Sequence, residues 1–232
     1  MKGELILIPT PISEDKNLHQ DSIEAINQTL GSTDEVLFVV EEHKIARRRW
    51  IKWGLERSLI DQFIIYNEQT WHDEVDPLIE KLKKGFKVFI QSDGGLPGLF
   101  DPGRELIFRS WENGVNVTSL NFDNSVVLAL TLSGFRNTSF EVKGFIPRKA
   151  DEREKFWKQM NSCKQTAVIM DTPYRLSKVI QELQGSITNQ NRLVYIGCNL
   201  NTKEEFSYWG TIKSLKSFSG PEKANFVLCL SQ

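Results

Sequence analysis

The chain has 232 residues, 29 Lys and Arg against 30 Asp and Glu, a formal net charge of −1, and 40% hydrophobic residues. That suits a folded protein with a sizeable core, in one large or two small domains. Near-neutrality excludes binding to nucleic acid by overall charge, so any such binding needs a local basic patch. Cys163, Cys198 and Cys229 are widely spaced without a CxxC pair, and His19, His43 and His72 are as scattered, which argues against a disulfide frame or a metal site.

In chain order, "ELILI" (4–8) reads as a strand and "DSIEAINQTL" (21–30) as a helix. The apolar part of the N-terminal stretch is about five residues, too short for a signal core or a membrane span, and no later run approaches about twenty; the expected location is the cytoplasm. "EVLFVV" (35–40) leads into the helical "KIARRRWIKWGL", "DQFIIYN" (61–67) into "EVDPLIEKLKKG", and "FKVFIQ" (86–91) through a glycine-rich loop into "RELIFRSWENG" and "VNVTSL" (115–120). These alternations predict a mostly parallel five-stranded sheet with helices on both faces.

The second half carries strand candidates at 139–146, 165–171, 192–198, 205–212 and 224–230, with helices at 124–134, 151–161 and 174–184. Short connections between the last three strands favour hairpins and a mixed sheet. The expected organisation is an α/β fold of two domains, 1–116 and 117–232, with a ligand cleft where they meet.

The loop "SDGGLPGLFDPG" (92–103) stands at the carboxyl end of a strand, where parallel sheets collect ligands. Its glycines permit close backbone approach and positive φ, and its prolines stiffen the path. Asp93 is placed to accept hydrogen bonds from a ligand, and Asp101 to cap the helix beginning near Pro102. A tight strand-to-helix connection explains the same residues without a ligand. Neither GxxxxGK[ST] nor a GxGxxG after the first strand is present, which speaks against a phosphate cradle.

"LILIPTPI", "SDGGLPGLFDPG", "ALTLSGF", "FEVKGFIPRK" and "MDTPYRL" follow one another in that order. With these motifs nearly the whole chain resembles the tetrapyrrole methylase superfamily, the class III S-adenosylmethionine-dependent methyltransferases. Within it the chain is most similar to the bacterial enzymes that methylate a ribose 2′-hydroxyl of 16S ribosomal RNA. The resemblance implies a two-domain fold, S-adenosylmethionine as cofactor, ribosomal RNA or the small ribosomal subunit as partner, and a homodimer. It assigns to the cofactor Pro9 and Thr10, then Asp93, Gly94, Gly95, Leu96 and Pro97, then Asn121, Asp123, Asn124 and Ser125, and finally Met170 and Asp171. The family usually has alanine-glycine-threonine where this chain has Gly94, Gly95 and Leu96, and a proline-glycine-proline-serine turn where Phe122, Asp123 and Asn124 precede Ser125. The ribosomal subfamily has Glu-Asp-Thr-Arg in place of "EEHK" (41–44) and Arg-Glu-Leu-Thr-Lys in place of "CNLNT" (198–202).

Methyl transfer to a hydroxyl needs in-line positioning and a group that takes the proton. Glu41 is the first candidate base, because the family motif also has glutamate there; Glu42 and His43 follow it. The same acids also suit a helix N-terminus. In "HKIARRRWIKW" (43–53), Lys44, Arg47, Arg48 and Arg49 suit RNA phosphates, while Trp50 and Trp53 either stack on bases or form a core stripe at i,i+3. Arg148 and Lys149 form a second basic patch, diluted by Asp151, Glu152 and Glu154. Asp171 or Thr172 also reads as a helix cap, and Tyr174 and Arg175 either reach substrate or tie their helix to a neighbour. Two other functions stay open: methylation of a tetrapyrrole or other small molecule, and a catalytically silent RNA-binding relative.

Overall fold

The computed structural model describes residues 2–232, which form two compact units, the first running through Asp123 and the second from Asn124. In the first, β1 (Glu4–Ile8), α1 (Gln20–Leu30), β2 (Val36–Val40), α2 (His43–Lys52), β3 (Ile64–Ile65), α3 (Trp71–Lys83), β4 (Lys87–Gln91), α4 (Gly103–Glu112) and β5 (Asn116–Ser119) alternate along the chain. The sheet order is β3-β2-β4-β1-β5 with every pair parallel.

Side chains alternate across this sheet. Ile6, Ile8, Phe38 and Phe89 pack with Ile26 of α1 and Trp50 of α2 in one cluster. On the other face, Ile90 meets the start of α4 at Gly103, and α3 and α4 bury Val75, Leu78, Leu82, Leu106 and Ile107. A parallel sheet covered on both sides explains why its central strands read as unbroken apolar runs.

Two elements differ from expectation. The predicted strand 61–67 shrinks to Ile64–Ile65, because a 3-10 turn over Arg57–Gln62 takes its first residues. A division after residue 116 would cut β5, which pairs with β1 from Asn116 to Ser119 and so belongs to the first unit.

The second unit holds α5 (Ser125–Leu132), β6 (Phe140–Phe145), α6 (Ala150–Ser162), β7 (Thr166–Asp171), α7 (Leu176–Ser186), β8 (Leu193–Cys198), β9 (Phe206–Thr211) and β10 (Phe226–Leu230). Its mixed sheet runs β6-β7-β10-β8-β9. β6 and β7 are parallel, and β10 is antiparallel to both β7 and β8. Only β8 and β9 of the last three strands form the expected hairpin. β10 is buried at all five positions whereas β9 is half-buried throughout, so burial sends the more apolar strand to the centre and the other to the edge.

Candidate active site

The loop after β4 is held mainly by its own chain. Gly95 lies at φ 93° and exchanges two backbone hydrogen bonds with Thr10, at 2.7 and 2.8 Å, which ties the loop to the end of β1. Asp101 Oδ1 accepts from Gly98 N–H at 2.7 Å and from Gly103 N–H at 2.8 Å. A Cβ on Gly103 would stand 2.9 Å from that oxygen and 3.0 Å from Gly98 N, so the carboxylate itself demands glycine there. Gly94 is different: it is exposed, and a Cβ would meet nothing nearer than 3.6 Å. Leu96 and Pro97 are buried, so they face the fold.

Two carboxylates meet at this loop. Glu41, just past β2, accepts Asp93 N–H through Oε2 at 2.9 Å. Burial, and next the charge of Glu41, push the Asp93 carboxyl up to about 6, against the opposing pull of Glu42 N–H and Arg49. Burial also raises Asp101 to about 6 despite its two N–H donors. Behind them lies a hollow of about 10 Å³ lined by Glu41, Tyr66, Gln91, Ser92 and Asp101. The buried Tyr66 hydroxyl and Gln91 Oε1 have no hydrogen-bond partner among the described residues, and a hollow of this size takes about one water. Burial raises the Tyr66 phenol far above its ordinary range.

The neighbouring candidates are committed locally. Glu42 caps α2 by accepting Lys44 N–H, and His43 Nε2 lies 3.2 Å from Ile60 O. Trp50 has no exposed surface; its indole N–H donates to Glu56 O, and its ring packs edge-on against Phe38 and Phe63. With Trp53 also buried, the tryptophans form the core stripe and are closed to bases. Arg49, 2% exposed, turns inward, with Nη2 3.5 Å from Ile12 O and its Nε and Nη1 unpaired. Arg48 pairs with Glu14 through two bonds, at 2.9 and 3.1 Å. Lys44 and Arg47 remain exposed on the outer face of α2. Pro9 is half-buried beside Thr10, Asn121 is half-buried, and Asp123 is exposed after β5.

In the second unit, a hollow of about 350 Å³ opens at the carboxyl ends of β6, β7 and β8. Ser125, Met170 and Asp171 line it, together with Phe145, Leu200 and Phe226 and the polar Asn199, Thr202 and Asn225. Asn124 instead caps α5, its Oδ1 accepting Val127 N–H at 3.0 Å. The Asp171 side chain, 1% exposed, is held within the fold: Oδ1 accepts from Thr172 N–H at 2.7 Å and from Arg175 at 3.0 Å, and Oδ2 lies 3.6 Å from Arg153. Arg153 in turn donates to both oxygens of Glu182 and to Pro147 O. Asp171 therefore shapes the hollow as part of a four-charge network.

Asn199, Thr202 and Asn225 were missed from sequence because the first two read as turn residues in "CNLNT" (198–202) and Asn225 precedes β10 outside any motif. Asn199 and Asn201 adopt φ 48° and 57°, a backbone that Asn tolerates, and Asn225 N–H closes the turn on Asn199 Oδ1. A pair of asparagines around one leucine was the available signal. Arg148 and Lys149 lie exposed after β6, Lys149 paired with Glu152.

Comparison with known proteins places this geometry in a family. The model of the tetrapyrrole (corrin/porphyrin) methylases matches residues 29–216, well over half of the chain. The chain is 30% identical over 178 residues to the ribosomal RNA small subunit methyltransferase I of Leptospira borgpetersenii, covering 75% of this chain and 70% of that protein. It is 27% identical over 222 residues to the protein of the same name from Halalkalibacterium halodurans, covering 93% and 73%. Among solved structures, diphthine synthase aligns over 99% of this chain and 90% of its own with 12% identity and a TM-score of 0.39, too low to carry an argument. The family match and the 30% identical relative agree with the strand-end loops described above: the chain belongs to the tetrapyrrole (corrin/porphyrin) methylases and is an S-adenosylmethionine-dependent methyltransferase.

Proposed function

We propose that the enzyme methylates a ribose 2′-hydroxyl of small-subunit ribosomal RNA in the cytoplasm, working as a homodimer. The names of its relatives support small-subunit ribosomal RNA as the acceptor, and the resemblance of its motifs supports the ribose hydroxyl. The Glu41–Asp93 pair just past the ends of β2 and β4 carries the chemistry.

The residues fit the cofactor. The second unit's hollow of about 350 Å³, apolar with Asn and Thr at its rim, suits a nucleoside. In the first unit, Asp93 supplies negative charge for a cationic ligand, and the open backbone at Gly94 allows close approach. We assign Asp93 to Leu96 and Pro9 to Thr10 to the cofactor from the first unit, largely through main chain, with Asn121 and Asp123 at the end of β5. From the second we assign Ser125 and Met170, with Asn124 and Asp171 acting through the turn and wall they hold. When bound, S-adenosylmethionine supplies an electrophilic methyl on a sulfonium.

The chain's part is to orient the acceptor and remove its proton. Glu41 Oε2 is fixed by Asp93 N–H, which leaves Oε1 to take the hydroxyl proton. Asp93 is largely ionised at neutral pH, so the pair presents negative charge to the sulfonium. Lys44 and Arg47 supply phosphate contacts from α2, with Arg48 available on release of Glu14.

Titration with S-adenosylhomocysteine, followed by methylation of small subunits from a strain lacking the gene, tests this. Glu41→Gln should retain product binding and lose methyl transfer by about 10²-fold or more. Cofactor binding with no label on ribosomal RNA would overturn the acceptor assignment, and sedimentation as a monomer would overturn the dimer.

A further inference from the structure

A second hollow in the C-terminal unit, about 430 Å³, lies between the loops that follow β6 and β7 and is lined by Phe145, Pro147, Arg148, Thr172 and Arg175. We propose that it holds an unpaired nucleotide of the RNA substrate, with Arg148 on its phosphate and an exposed aromatic ring on its base; this deepens the RNA reading above and rests on it.

Several independent features converge here. β6 carries a bulge between Val142 and Gly144, with Gly144 at φ 69°, and the strand leaves Phe145 63% exposed. Bulges of this kind re-aim side chains beside sites. Tyr174, in the 3-10 turn after β7, is 79% exposed, and Lys223 Nζ stands 5.3 Å above its ring. Phe145 lines the hollow, and Tyr174 stands exposed in the chain between Thr172 and Arg175, which line it too. Exposed rings so placed match the platforms on which unstacked bases lie, and paired bases in a duplex cannot reach them.

The charge at the hollow is cationic by subtraction. Arg153 and Arg175 are balanced by Asp171 and Glu182. Arg148 stands exposed with no ion pair or hydrogen bond among the described residues, which leaves its planar fork for a phosphate. The balanced network also fixes both loops, since Arg153 donates to Pro147 O while Asp171 accepts from Thr172 N–H and Arg175. The walls are thus set before ligand arrives. Phe145 and Asp171 line both this hollow and the one assigned to the cofactor, so the nucleotide would lie next to that site within the same unit.

The test is fluorescence anisotropy with a labelled single-stranded RNA oligonucleotide and the same strand in a duplex, across a salt series. Arg148→Ala and Tyr174→Ala should each weaken single-strand binding about tenfold. Arg148→Ala should also flatten the slope of log affinity against log salt by about 0.7, Arg148→Lys should keep that slope, and Tyr174→Phe should keep the affinity. Product binding by calorimetry and the melting temperature verify that each variant is folded. Unchanged single-strand affinity in both alanine variants, an equal loss for the duplex, preference for free mononucleotide over RNA, or no binding by the parent protein would each overturn the proposal. Single-strand binding through these residues without methylation of ribosomal RNA would sink the acceptor assignment and leave this site standing.

Discussion

Replacing Asp101 by Asn separates the burial of a charge from the hydrogen bonds that charge accepts. Oδ1 receives Gly98 N–H and Gly103 N–H, and an amide oxygen accepts the same two. The second oxygen becomes an NH2 beside a hollow that already holds the unpaired Gln91 Oε1 and Tyr66 hydroxyl, both able to accept. Burial raises the Asp101 carboxyl from 3.8 to about 6. A folded pKa above the unfolded one means that its stabilising contribution is full below about pH 3.8 and is lost as pH rises through about 6. A shift of about two units at ~1.4 kcal/mol each amounts to roughly 3 kcal/mol. Asn does not titrate, so the stability of Asp101→Asn relative to the parent should climb by about that much between pH 4 and pH 7. Urea unfolding of both proteins at pH 4, 5, 6 and 7, with matching m values, measures it. A difference that stays flat with pH would refute the reasoning, because the carboxylate would then be as well solvated in the fold as in water.

Gly95→Ala meets no neighbouring atom, so its expected cost of about 1–3 kcal/mol is backbone strain at φ 93° alone, whereas Gly94→Ala should stay within about 0.5 kcal/mol; equal unfolding midpoints for the two would sink this. Arg153→Ala removes the buried guanidinium between Asp171 and Glu182, which keep Arg175 and the Trp157 N–H, and should cost about 3 kcal/mol by urea titration. Arg153→Lys should recover little, because one ammonium cannot reach Glu182 as Nε does and Pro147 O and Asp171 as Nη1 does. Methyl transfer should decline as pH falls through about 6, where Asp93 takes up its proton, and Asp93→Asn should flatten that limb of the profile; an unchanged limb would move the titration to another group.

No helix among the described residues is long and apolar enough to cross a membrane. Sequence alone determined the elements whose signal is local. "ELILI" became β1 over its full length, and the apolar runs of β2, β4 and β7 announced buried strands because both faces of their sheets are covered. The ordered motifs marked the family, since they record residues near strand ends without requiring any knowledge of how strands pair. Tertiary structure decided what depends on partners distant in the chain. The apolar run of β10 announces burial, but that it enters between β7 and β8 and leaves β9 at the edge depends on strands far apart in the chain. Asp171 sits in a motif that reads as a ligand contact, yet Arg153 and Arg175 claim its carboxylate, and Arg49 turns from a basic run into the protein toward Ile12. The glycine loop combines both. Its composition foretold a close approach, but only the fold revealed that Thr10 and Asp101 are what approach Gly95, Gly98 and Gly103, because a hydrogen bond between separated residues leaves no period or composition for the sequence to display.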